Sequence, residues 1–213
     1  GMSLFSVLVP LLLAAQTALC VPLSSSGEPE SNSAGPKPSV QYHLAAEPFK
    51  WHMCGAATDP FQIVEANVNP WPIKFSETVG LPLNIDIKGN LSKAVTGGKM
   101  ELQVKKKLPY VEVWEKIPCI DKYGSCHYDL CMALKHIFEG ECDQWFTEHN
   151  LPCHCPMGPQ VINAPASSLH LPAVGGIPSW LADGDFQVQL KFTDQDGDPV
   201  GCLWVQLSIY ESK

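Results

Sequence analysis

From Phe49 onward the hydrophobic positions recur mostly at every second residue. The stretch "PLNIDIK" sets Leu83, Ile85 and Ile87 against polar partners, and "MELQVK" does the same with Met100, Leu102 and Val104. Toward the C-terminus "DFQVQLKF" alternates Phe186, Val188, Leu190 and Phe192, and "LWVQLSI" alternates Leu203, Val205, Leu207 and Ile209. A period of two places every apolar side chain of a segment on one face. These stretches therefore predict strands with one apolar and one wetter face. Between the last two, "TDQDGDPVG" predicts a hairpin turning at Asp196-Gly197. Its acids Asp194, Asp196 and Asp198 also have the alternate spacing of a calcium loop. However, Pro199 stands where such a loop requires glycine, and Val205 where it requires a bidentate glutamate. The turn is the better reading.

One stretch changes period. "YDLCMALKHIF" brings Leu130, Leu134, Ile137 and Phe138 to one helical face, with Asp129 near its start. The pattern predicts a mainly β, single-domain fold with a short helical insert.

The chain ahead of Phe49 reads differently. An apolar run from Leu4 to Ala15, then Ala18 and Cys20 at the −3 and −1 positions, predicts a signal peptide over residues 1–20. The run is shorter than the roughly 20 residues a membrane span needs. Residues 21–48 are dominated by Pro, Ser, Gly and Glu and predict a disordered linker. The folded domain is expected over residues 49–213.

Charge and cysteine narrow the class. The net charge is −8, and all 14 basic residues are lysine. A nucleic-acid partner, which wants a basic stripe and usually guanidinium forks, is excluded. Nine cysteines become eight on removal of residues 1–20, and an even number in a secreted chain implies a disulfide framework. In "LPCHCPMGP" a direct Cys153–Cys155 bridge would be strained, and an extended segment points both thiols to one side. Zinc held by these two with His127 or His149 is the competing arrangement. An oxidising compartment favours two separate disulfides, and no metal or other cofactor is expected. Catalytic motifs are missing as well: there is no G-x-S-x-G and no H-E-x-x-H. His127 and Asp129 lie in a cysteine-rich helix faintly similar to secreted phospholipases, without the paired residues of those enzymes. "IKGNLSK" holds the sequon Asn90-Leu91-Ser92 in what reads as an exposed polar turn, a site for an N-glycan.

"IPCIDKYGSC", then Cys131, Cys142, "LPCHCP", "PSWL" and a final "GC" together resemble the ganglioside GM2 activator family over Phe49 to the C-terminus. The spacing of Trp51, Trp114 and Trp180 relative to the cysteines agrees with it. The linker is longer than in the family, and the sequon sits at a shifted place. The resemblance implies a β-cup around a lipid cavity, and four disulfides: Cys54–Cys202, Cys119–Cys126, Cys131–Cys155 and Cys142–Cys153. It implies a non-enzymatic activator that lifts a ganglioside such as GM2 from a membrane and presents it to β-hexosaminidase A. Transport to the lysosome through the endoplasmic reticulum, or an extracellular location, follows. Candidate cavity or membrane contacts are Trp51, Val111, Val113, Trp114, Trp180 and Leu181, since tryptophan suits a lipid–water interface. The alternative is a secreted β-sandwich carrying sterol or phospholipid without an enzyme partner.

Overall fold

The computed structural model describes residues 46–75, 81–120, 124–137, 144–149, 151, 153–171 and 184–211. The expected signal peptide, most of the linker, Phe138, Cys142, Trp180 and Leu181 lie outside the described residues. In chain order the strands are β1 (Lys50–Met53), β2 (Phe61–Asn69), β3 (Ile73–Phe75), β4 (Leu81–Leu91), β5 (Gly98–Lys107), β6 (Trp114–Lys116), β7 (His127–Asp129), β8 (Gln160–Leu171), β9 (Gly184–Asp194) and β10 (Pro199–Glu211). Between β7 and β8 lie helices α1 (Leu130–Ile137) and α2 (Gln144–Glu148). The larger sheet runs β1-β10-β9-β5-β6, with β7 added to β5 and the short β3 parallel to β10; the smaller runs β2-β4-β8. The fold is mainly β, as the alternation predicts.

The inner face of the large sheet follows from the register. Val104 lies opposite Val188, which lies opposite Val205; Leu102 lies opposite Leu190, which lies opposite Leu203. These face Leu83 and Ala164 of the small sheet, and one apolar cluster spans both layers. A second cluster, near the β9–β10 turn, joins Leu91, Val95, Met100 and Val200 to Leu130 and Ala133 of α1.

The expected hairpin is present, and Asp194 explains its shape. One carboxylate oxygen accepts the N–H groups of Asp196 and Asp198 at 3.0 and 2.9 Å, while the other meets Lys93 Nζ at 2.7 Å. Gly197 supplies the positive φ of 88° that the turn requires. Asp194 is buried, and the Lys93 ammonium holds its carboxyl below the usual carboxylate range. One oxygen is thus committed to the turn and the other to the Lys93 ammonium, rather than to a metal ion.

Three sequence expectations are corrected. The helix begins at Leu130 rather than at Tyr128, because residues 127–129 pair with Glu101–Lys99 of β5 as β7. Asp129 Oδ1 then caps the helix by accepting the Met132 N–H at 2.8 Å. The sequon lies on β4, not in a turn: Asn90 pairs with Gln62 on one side and Val161 on the other. Its neighbours Gly89 and Leu91 are buried and point inward, so Asn90 belongs to the outer face. Finally, the domain reaches back beyond Phe49. Glu47 donates its N–H to Asp185 at 3.2 Å, and its carbonyl accepts from Trp71 Nε1 and Ser208 Oγ at 3.0 and 3.1 Å. Asp185 and Ser208 are buried polar groups on the outer face of β9 and β10; the Ser208 hydroxyl donates to Asp185, and Glu47 adds a further partner to each.

Candidate functional site

Among the described residues three bridges tie the domain: Cys54–Cys202 across 148 residues, Cys119–Cys126 across 7, and Cys131–Cys155 across 24. They are three of the four pairings the family resemblance implies. Cys153 is disulfide-bonded as well, and its expected partner Cys142 lies outside the described residues. Cys153 and Cys155 are therefore anchors for separate crosslinks and have no thiolate to offer a metal. The remaining groups of the zinc and hydrolase readings are dispersed or engaged. His127 is exposed on β7, Asp129 caps α1, and His149 Nδ1 lies 2.6 Å from the Trp145 carbonyl.

The interior is apolar but incompletely closed. Leu102, Val104, Phe186 and Ala164 are at most 1% exposed. Yet Val68, Ile85 and Ile87 of the small sheet, and Leu190 and Val205 of the large one, pack against the same cluster while only partly buried. All five sit at inward positions, where a densely packed sandwich would exclude water from them. Trp51 belongs to this wall: it lies directly opposite Val205 on edge strand β1 and is half-buried. It thus lies on the inward face of an edge strand rather than in an outer loop.

The turn joining β5 and β6 carries the second apolar feature. Tyr110, Val111 and Val113 are 80%, 48% and 53% exposed. The Leu108 N–H donates to the Val113 carbonyl at 2.9 Å, and Tyr110 takes a positive φ of 67° that turns the chain. Lys107 holds the turn from below, with Nζ 2.6 Å from Glu47 and 2.9 Å from Glu112. These two carboxylates push the lysine above its usual range, Glu47 contributing most. Trp114 pairs with Lys107 and is half-buried on the outer face of the large sheet, away from the interior. The structure thus separates the expected contacts into a wall residue, Trp51, and a tip, Val111 and Val113 with Trp114 beside it. Trp180 and Leu181 fall in the segment between β8 and β9, outside the described residues.

Sequence reasoning missed two groups here. Glu47 was hidden by its linker-like surroundings. Lys106 was hidden in the run Lys105-Lys106-Lys107, although the alternation Met100, Leu102, Val104 extended by two residues points it inward.

Comparison with known proteins gives the family. Residues 48–209 match the E1_DerP2_DerF2 family, an ML domain. The Ganglioside GM2 activator of Mus musculus is 31% identical over 165 residues, covering 76% of this chain and 81% of that protein. Its Macaca fascicularis counterpart is 30% identical over 165 residues, covering 76% and 83%. Among solved structures, a Niemann-Pick type C2 protein from Japanese carpenter ant superposes with a TM-score of 0.37 at 10% identity, covering 75% of this chain and 98% of that one. The chain belongs to the ML-domain family and, within it, to the ganglioside GM2 activator family.

Proposed function

We propose that this protein is a non-enzymatic lipid carrier that lifts a glycolipid from a membrane and presents it to a soluble hydrolase. The observation that carries this reading is the set of inward aliphatic side chains left partly buried between the two sheets. Apolar surface of this kind gains about 25 cal/mol per Å² when a lipid tail replaces water. Withdrawing a lipid from a bilayer otherwise costs about 0.8 kcal/mol per methylene exposed, so unaided desorption of two chains is very slow. The exposed tip of Tyr110, Val111 and Val113 suits transient, peripheral contact with the membrane surface during loading. Its relatives' name points to a ganglioside as the glycolipid. On this reading the hydrolase is β-hexosaminidase A and the compartment the lysosome, reached through the secretory route.

An N-glycan at Asn90 belongs to the same reading. Asn90 lies on the outer face of β4, so a glycan there would sit away from the gap between the sheets.

The test is transfer of a labelled ganglioside between vesicles, run beside hydrolysis of membrane-bound and water-soluble substrates by β-hexosaminidase A. The carrier reading requires transfer, and stimulation of the membrane-bound reaction alone. Transfer of sterol or phospholipid with no effect on the hydrolase would assign the protein to the enzyme-independent alternative. Mass loss on glycosidase treatment of secreted protein, abolished by Asn90→Gln, checks the glycan.

A further inference from the structure

After Tyr110 at the tip, the two most exposed large apolar side chains among the described residues are Val161 and Val64, at 72% and 70%. Both stand on the outer face of the small sheet, and they flank Asn90. Val161 of β8 is the cross-strand partner of Asn90 on one side. Val64 is the extra residue of the β2 bulge, two positions along from Gln62, the partner on the other side. Residues directly opposite on one face of a sheet carry Cβ atoms about 4.5–5.5 Å apart, so whatever Asn90 bears begins within reach of Val161. A single exposed valine needs no explanation. Two of them on either side of a sequon do.

The neighbouring outward positions are polar: Glu65, Asn67, Asp86, Lys88 and Asn163. Among them Lys88 Nζ holds Glu65 at 2.7 Å. The apolar area is thus two separate valines, not the contiguous patch that marks a protein interface. A sugar ring is of the right size. N-acetylglucosamine, the first sugar of an N-glycan, has C–H groups on the faces of its ring and polar groups around the rim. It can lie on a valine while its hydroxyls stay hydrated, and the apolar surface so covered leaves the water. Leu91, the residue after Asn90, belongs to the cluster near the β9–β10 turn. The tip lies beyond the other end of β5, a strand of ten residues that starts beside that turn. A glycan on Asn90 therefore leaves the tip clear.

We propose that the N-glycan of Asn90 is a packed part of the domain, its first N-acetylglucosamine covering Val161 and, less closely, Val64. The proposal rests on the reading of Asn90 as a glycan site given above.

The experiment takes the full secreted chain, its glycan trimmed enzymatically to the first sugar, and compares it with the unglycosylated variant Asn90→Gln. Both are made again with Val161→Ser and Val64→Ser together, which closes a double-mutant cycle on melting temperature. In the valine background the single sugar should raise the melting temperature by about 2–4 °C, the scale of one modest contact in a chain of this size. In the serine background that gain should vanish. Val161→Ser alone should remove most of it, because Val161 stands directly opposite Asn90. Both valines are exposed, so the serines by themselves should cost little. If the double variant is not secreted, Val161→Thr, which keeps the branched shape, takes its place in the cycle and should reduce the gain. The same gain in both backgrounds, or no gain in the valine background, would overturn the proposal. A secreted wild-type chain without a glycan at Asn90 would overturn the glycan reading itself, and the two failures are thereby distinguished.

Discussion

Replacing Val111 and Val113 together with serine probes the tip of the β5–β6 turn. Complete burial of a valine side chain is worth about 1.5–3 kcal/mol. These two are 48% and 53% exposed in the free protein, so about half of that value remains to be gained by each on entering a membrane. The pair should contribute about 1.5–3 kcal/mol to vesicle binding, which is roughly a tenfold to 150-fold weaker partition in the double variant. Folding should hardly notice, because exposed substitutions away from special features usually fall within about 0.5 kcal/mol. The Leu108–Val113 backbone hydrogen bond does not depend on either side chain. Liposome sedimentation, thermal melting and two hydrolysis rates, on membrane-bound and water-soluble substrates, form the assay. Membrane-dependent stimulation should fall with binding while the soluble reaction stays unchanged. Undiminished vesicle binding would show that the tip does not touch the membrane. A sharp loss of melting temperature would show that the two valines hold the domain together.

Removing the long bridge by Cys54→Ala/Cys202→Ala frees a 148-residue separation and should destabilise the domain by about 5 kcal/mol in the chain-entropy treatment, read from urea unfolding. Asp194 has its pKa lowered by Lys93, so its stabilising effect is present above the unfolded value, about 3.9, and is lost as pH falls through the lower folded value. The stability of wild type should therefore drop below about pH 4 while holding near pH 5, and Asp194→Asn should flatten that acid limb in melting scans. A chain beginning at Phe49 should be less stable than one beginning at Ala46 by about 1–3 kcal/mol, because Asp185 loses the Glu47 N–H and Trp71 Nε1 loses the Glu47 carbonyl, while Ser208 keeps its bond to Asp185. Equal melting of the two chains would mean that Glu47 is dispensable.

The legible part of the fold is the part where alternation runs without interruption. β4, β5, β9 and β10 announce themselves because their inward residues keep a strict period of two. β2 does not, because its register against β4 shifts between Ile63 and Glu65, and the bulge exchanges the inward and outward positions midway. β8 is masked by Pro165 and by a second shift opposite Ile85 and Ile87. A proline there is tolerated because β8 is an edge strand of its sheet. β3, β6 and β7 are three residues each, too short for any period to show. The site divides the same way. Val111 and Val113 are recognisable as apolar residues in a polar turn. Lys106 is not, since three consecutive lysines read as a solvated run until the register assigns each one a face.

The position of the crosslinks bears on why an incompletely packed interior is tolerable. Inward aliphatic residues that remain partly buried forfeit some of their transfer free energy, at about 25 cal/mol per Å² left wet. The end of the molecule carrying the β9–β10 turn is tied instead by covalent bonds. Cys54–Cys202 joins the chain just after β1 to β10, and Cys131–Cys155 fastens α1, which packs on Met100 at that end. At the other end, β5 and β6 run into the exposed tip, where Lys107 with Glu47 and Glu112 supplies an ionic tie. Crosslinks stabilise largely by restricting the unfolded chain and so need no dense packing beside them. Ion pairs close to solvent open more readily than a packed core. The domain is thus held firmly where nothing has to move. It is held lightly beside the tip, where a lipid would have to enter.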